Sequence, residues 1–167
     1  MAIYSLKTVQ KIPITLEKAW QFFSAPDNLA DITPSHLGFK VLSLYHGKTM
    51  YPGQIIEYTV KPIFGIPLYW MTEITHVENQ KFFVDEQRYG PYKMWHHQHH
   101  FKEIPGGVEM TDIVHYKIPL GFLGSIAHSL MIQSQLRKIF SFRFDKTEGM
   151  FGKWPSGQQV DLVFNKS

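Results

Sequence analysis

Between residues 37 and 118 the chain runs through six stretches of strand-like alternation, and from residue 121 it changes to a helical period that lasts about thirty residues. The strand-like stretches fall at 37–46, 53–62, 66–77, 81–89, 92–103 and 107–118. Turn signals separate them at Gly47, Pro52-Gly53, Gly65, Glu78-Asn79, Gly90-Pro91 and Pro105-Gly106-Gly107. Links this short join antiparallel neighbours, so the six form a meander. A meander must cover its apolar face, and the only large amphipathic element on offer lies between residues 121 and 149. There Phe122, Ile126, Leu130, Gln133, Phe140 and Phe144 follow one stripe, widened by Leu123, Ala127, Met131, Leu136, Ile139 and Phe142. A helix of that length spans roughly 45 Å, enough to cross a whole sheet. The expected class is α+β, a curved antiparallel sheet wrapped on a long C-terminal helix.

The segment before the meander adds a seventh strand and two short helices. Residues 2–11 alternate, with Ile3, Ser5, Lys7 and Val9 on one side and Tyr4, Leu6, Thr8 and Gln10 on the other, until Pro13 ends the run. Leu16, Ala19, Trp20 and Phe23 then recur at helical spacing up to Ala25-Pro26. Asp27 is a candidate N-cap for a further turn over 28–32, stopped by Thr33-Pro34, and the segment 24–34 is placed to serve as a lid at the sheet's rim. No repeat or linker interrupts the chain. Residues 1–152 read as one domain and 153–167 as a tail with a short strand at 160–164.

Composition narrows the function classes. Aromatic residues make up 15% of the 167, enough to build wide apolar walls, although a well-filled core accounts for them equally. The net charge of +3 is spread along the chain, which gives no basis for a nucleic-acid partner. The absence of cysteine excludes disulfides, thiolate metal sites and a cysteine nucleophile, and it suits a reducing compartment. Ile118 to Ile132 is too short and too polar for a membrane span, so no integral membrane association is expected. Residues 1–7 lack the apolar run of a signal peptide, and the expected setting is cytoplasmic.

The densest chemistry lies in Trp95-His96-His97-Gln98-His99-His100-Phe101, which holds four of the nine histidines. In a strand Trp95, His97, His99 and Phe101 share one face, and the aromatic ends mark it as the inner one; His96, Gln98 and His100 then face solvent. A two-residue hairpin turn at Pro105-Gly106 sets His99 opposite Asp112, His97 opposite Val114 and Trp95 opposite Tyr116. An odd-length turn around Gly90-Pro91-Tyr92 sets Asp85 opposite His97 and Gln87 opposite Trp95. Asp85, His97, His99 and Asp112 would then form a polar patch on the inner wall. Three roles remain open for it: mutual hydrogen bonding, anchoring a ligand, or chemistry by a His-Asp dyad or a metal. The His-x-His spacing is weakly specific for metal, and no metal or cofactor is expected.

One set of residues resembles a known family. Pro13, Ala19-Trp20-x-Phe22-Phe23, Asn28-Leu29 and Thr33-Pro34 open it. Asp85-x-Gln87-x-x-Gly90-Pro91-x-x-x-Trp95-x-His97-x-His99-x-Phe101, Asp112-x-Val114-x-Tyr116-x-x-Pro119 and Arg143 follow. Over residues 3–151 this is similar to the START and Bet v 1-like (SRPBCC) superfamily, and more narrowly to small bacterial members labelled ligand-binding or cell-division-inhibitor-related. The resemblance implies a helix-grip fold with a deep apolar cavity between sheet and helix. It also implies a lipid, polyketide or aromatic ligand, with a polyketide cyclase or dehydratase as the enzymatic alternative. Candidate wall residues are Trp20, Phe23, Ile56, Tyr58, Trp70, Phe83, Trp95, Phe101, Tyr116, Leu130 and Phe140. Asp85, His97, His99 and Asp112 are the candidate polar anchors, and the catalytic groups if the protein is an enzyme. Arg143 is a candidate anion anchor or a salt-bridge partner on the helix.

Overall fold

The structure is a computed structural model that describes residues 2–43, 49–61, 65–119 and 131–166. Strict alternation in β1 (Tyr4–Ile12) buries Tyr4, Leu6, Thr8, Gln10 and Ile12 and leaves Lys7, Val9 and Lys11 outside. After Pro13, Thr15 caps α1 (Leu16–Phe23) by accepting the Lys18 backbone N–H at 3.3 Å. The helix buries Ala19, Trp20 and Phe23. Two 3-10 turns follow, Pro26–Leu29 and Ser35–Leu37. The first starts on Pro26, whose fixed φ suits a first helical position, so Asp27 lies inside the turn instead of capping a turn over 28–32.

The meander is β2 (Lys40–Val41), β3 (Gln54–Val60), β4 (Leu68–Glu78), β5 (Phe82–Tyr89), β6 (Met94–Ile104) and β7 (Gly107–Lys117). β2 is much shorter than the stretch 37–46 suggested, because the turn at Ser35–Leu37 ends on Gly38 with φ +52°, and residues 44–48 lie outside the described set. All neighbours pair antiparallel in the order β2-β3-β4-β5-β6-β7-β1-β8. The eighth strand, β8 (Leu162–Lys166), comes from the segment read as a tail. It pairs with β1 from Thr8↔Leu162 to Tyr4↔Lys166, giving one strand more than the seven expected. Register shifts in the β4–β5 ladder, between Met71 and Thr72 and between Ile74 and His76, bend the sheet locally.

The described part of the long helix is α2 (Gln133–Phe151), about 28 Å at 1.5 Å per residue. Residues 120–130, where the sequence places the helix start and Leu130, lie outside the described set. Leu136, Phe140, Phe144 and Thr147 form its buried stripe. Leu136 and Phe140 join Tyr4, Leu6, Val114 and Tyr116 of the sheet, and Gln10 Nε2 ties sheet to helix by donating to the Phe144 carbonyl at 3.0 Å. Away from that cluster, Trp20 and Phe23 pack on Phe83 and Phe101. Among the described residues no helix is long and apolar enough to cross a membrane.

The start of β7 passes so close to β1 that a Cβ at Gly107 would stand 2.1 Å from the Ile12 carbonyl oxygen. Gly107→Ala is therefore expected to lower stability by about 1–3 kcal/mol. Urea unfolding would register it as a lower midpoint at an unchanged slope.

Candidate functional site

The hairpin β6–β7 closes through Pro105-Gly106, with Ile104 paired to Gly107 and Gly106 at φ +88°. This two-residue turn sets His99 opposite Asp112, His97 opposite Val114 and Trp95 opposite Tyr116, as the spacing predicted. On the other side Asp85 stands opposite His97. The β5–β6 ladder ends at Glu86↔His96, before the expected Gln87–Trp95 pair. Gln87 instead secures the turn: its Nε2 donates to the Tyr92 carbonyl at 2.6 Å and its Oε1 accepts the Tyr92 N–H at 3.2 Å.

The four inner polar residues form one closed cluster. His97 Nε2 bonds Asp112 Oδ1 at 2.9 Å, and His99 Nε2 bonds Asp85 Oδ2 at 2.9 Å. His99 Nδ1 also lies 2.9 Å from Asp112 Oδ1, out of hydrogen-bonding line, and His97 Nδ1 lies 3.4 Å from Asp85 Oδ2. The imidazole centroids are 3.7 Å apart, and His99 stacks on Phe83 at 4.1 Å. From α2, Arg143 brings Nη1 to 3.7 Å from Asp112 Oδ1, so its charge reaches from helix to sheet.

Burial lowers the His97 imidazole and the charge on His99 adds to that, so His97 stays below the ordinary histidine value despite both carboxylates. His99 feels the same burial, but the adjacent carboxylates of Asp112 and Asp85 outweigh it and hold the ring above the ordinary value. Burial alone would raise Asp112, yet the two imidazoles hold it well below the usual carboxylate range. Asp85 is lowered too, against its own burial, by His97 and His99. The cluster thus keeps two carboxylates ionised and places its proton on His99.

The outer histidines do more than meet solvent. His96 Nδ1 pairs with Glu86 at 2.8 Å, Gln98 lies 3.2 Å from His96, and His100 lies 3.0 Å from Gln98, a half-buried ladder along the outer face.

Between sheet and α2 lies a cavity of about 340 Å³. Of the candidate site residues, Ile56, Tyr58, Trp70, Phe83, Asp85, Trp95, His97, His99, Phe140 and Arg143 line it. Trp20, Phe23, Phe101 and Tyr116 point inward but do not reach it. Trp20 and Phe23 lie edge-on or tilted against Phe101 at 5.5 and 5.9 Å, which fills the space under α1. Tyr116 is fully buried, stacked on Tyr4 at 5.7 Å. Asp112 sits behind the imidazole pair, with no place on the wall. Thr72, Tyr92 and Ile139 belong to the wall and were missed. Thr72 and Ile139 fit the alternation of β4 and the stripe of α2, but Tyr92 lies in a turn whose path no periodicity reveals.

Asp85, His97 and His99 each bring a metal-ligating atom within 4.8 Å of the others. Each is already engaged inside the cluster, so a cation would have to displace the His99–Asp85 bond.

The arrangement defines the helix-grip fold, an antiparallel sheet closed over a long C-terminal helix with a cavity between them. Solved structures share it at low identity. Protein CV1439 from Chromobacterium violaceum matches with a TM-score of 0.68 at 8% identity, over 90% of this chain and 99% of that one. Protein Ms6760 from Mycobacterium smegmatis matches with a TM-score of 0.63 at 16% identity, over 87% and 89%. Ara h 8.0201, of the Bet v 1-type fold, matches with a TM-score of 0.60 at 12% identity, over 89% and 97%. No family model matches the chain, and no curated protein sequence is similar to it.

Proposed function

We propose that the protein binds a small, largely apolar ligand in the cavity between its sheet and α2, with the His/Asp cluster and Arg143 at the polar end of the wall. The observation that carries this reading is the cavity itself. Its volume of about 340 Å³ falls in the range of small-molecule sites, and its lining is mostly aromatic and aliphatic with a few converging polar groups. The ligand belongs to the lipid, polyketide or aromatic classes, whose affinity comes mainly from burial at roughly 25 cal/mol per Å² before association costs. The reading needs no cofactor, and the lack of cysteine suits a reducing, cytoplasmic setting.

The test is to incubate the purified protein with a cell extract, wash it, and identify retained compounds by native mass spectrometry. An unchanged apolar compound at about one per protein is expected. Ile139 on α2 lines the cavity, so Ile139→Trp fills it and is expected to abolish retention while leaving the circular dichroism spectrum unchanged. Retention by that variant at the wild-type level would place the compound elsewhere and defeat the reading.

The second reading, a cyclase or dehydratase, draws on one feature: His97 is a lowered imidazole on the cavity wall, oriented by Asp112 through a 2.9 Å bond, as a general base would be. It predicts that His97→Ala abolishes conversion of the retained compound while its retention persists.

A further inference from the structure

Arg143 follows Leu136 by seven residues and Phe140 by three, so it stands on the inner stripe of α2. Its side chain is 15% exposed. Its Nε and Nη1 are buried and have no hydrogen-bond partner among the described residues. Asp112 Oδ1 is 3.7 Å from Nη1, beyond hydrogen-bond reach, and already lies 2.9 Å from both His97 Nε2 and His99 Nδ1. Asp85 is spent likewise on His99. Both inner carboxylates are therefore committed to the imidazoles, and the charge left without a close partner is the guanidinium.

A buried charged donor left unmade costs more than a neutral one, and a planar guanidinium fork matches a carboxylate two bonds at a time. Arg143 is also the only lysine or arginine among the described residues that line the cavity. One fork favours a singly charged head over a phosphate, which takes a second cation to balance. Next to it the apolar wall begins, with the Phe140 ring centroid 5.5 Å from the guanidinium carbon.

We propose that the ligands of this cavity are apolar acids: an aromatic or aliphatic body ending in one carboxylate, the body among the aromatic walls and the head seated on the guanidinium of Arg143. The inference rests on the binding reading above and specifies its ligand class. Trp70 Nε1, buried in the same wall without a partner among the described residues, offers a further donor to an oxygen along the body.

Two matched pairs of probes test it: 2-naphthoate with methyl 2-naphthoate, and decanoate with methyl decanoate. Binding is read from the fluorescence of Trp70 and Trp95 in the wall. In the wild type each acid is expected to bind at least tenfold more tightly than its ester. Arg143→Gln is expected to weaken the acids tenfold to hundredfold, the range of one charge-assisted bond, and to leave the esters within twofold. Arg143→Lys, which keeps the charge and loses the fork, is expected to fall between the two. Ester binding equal to or tighter than acid binding, or an equal loss of both in Arg143→Gln, overturns the proposal while the binding reading stands. Failure of all four probes to bind the wild type defeats the binding reading, and this inference with it.

Discussion

Asp112→Ala is expected to lower the unfolding free energy by about 3–5 kcal/mol, a fall in melting temperature on the order of 10 °C for a chain of this size. Asp112 is 5% exposed, and its Oδ1 lies 2.9 Å from each imidazole and 3.7 Å from Arg143. Deleting it leaves the buried Arg143 guanidinium without the carboxylate nearest to it and removes the group that most favours the charged form of His99. The cost is thus that of stranded charge, not of a lost contact. Asp112→Asn, which keeps shape and one acceptor oxygen but removes the same charge, is expected to lose nearly as much as the alanine variant. Calorimetry on the two variants checks both statements. A loss in Asp112→Asn far below that of the alanine variant would mean that shape and hydrogen bonds, not the charge of Asp112, carry the cost.

Stability is expected to peak near neutral pH and to fall on both sides, because the two inner imidazoles shift in opposite directions. His99 titrates above 6.5 in the folded chain, so its contribution is complete below 6.5 and is lost as pH rises through the raised value. His97 titrates below 6.5, so the folded state resists its protonation and loses stability as pH drops from 6.5 through the lowered value. Asp85 and Asp112 titrate below 3.8 in the folded state, and their contributions, complete above 3.8, disappear as pH falls through those values. Urea midpoints measured from pH 3 to pH 9 would trace this curve. In His99→Gln the decline on the alkaline side is expected to flatten, whereas a decline unchanged by that substitution would assign it to other groups.

Most of the fold was legible because period and turn chemistry agree. The hairpin at Pro105-Gly106 fixes the β6–β7 register from sequence alone, and with it the meeting of His99 and Asp112. What alternation does not contain is the distance between layers. Trp20, Phe23, Phe101 and Tyr116 face inward as their positions require, yet α1 and β1 come close enough to enclose them, and the cavity opens elsewhere. β2 shrank because a local turn ending at Gly38 took residues that otherwise read as strand. The apolar run Leu162-Val163-Phe164 marked a short strand in the tail, but its place beside β1 was not legible, because only Leu162 of the five residues of β8 is buried. Arg143 was visible on the helical stripe, but that its fork lacks a partner is a matter of ångströms that spacing does not encode.

The run His96 to His100 carries imidazoles on both faces of β6, so the strand's own letters barely distinguish one register from the next. A one-residue slip of β6 against its neighbours would turn His96, Gln98 and His100 inward and take His97 and His99 away from Asp85 and Asp112. The two residues of the Pro105-Gly106 bend act as the reading frame of the site: a change in a wall residue leaves the pairing of His99 with Asp112 in place, whereas a change in the length of this loop moves it.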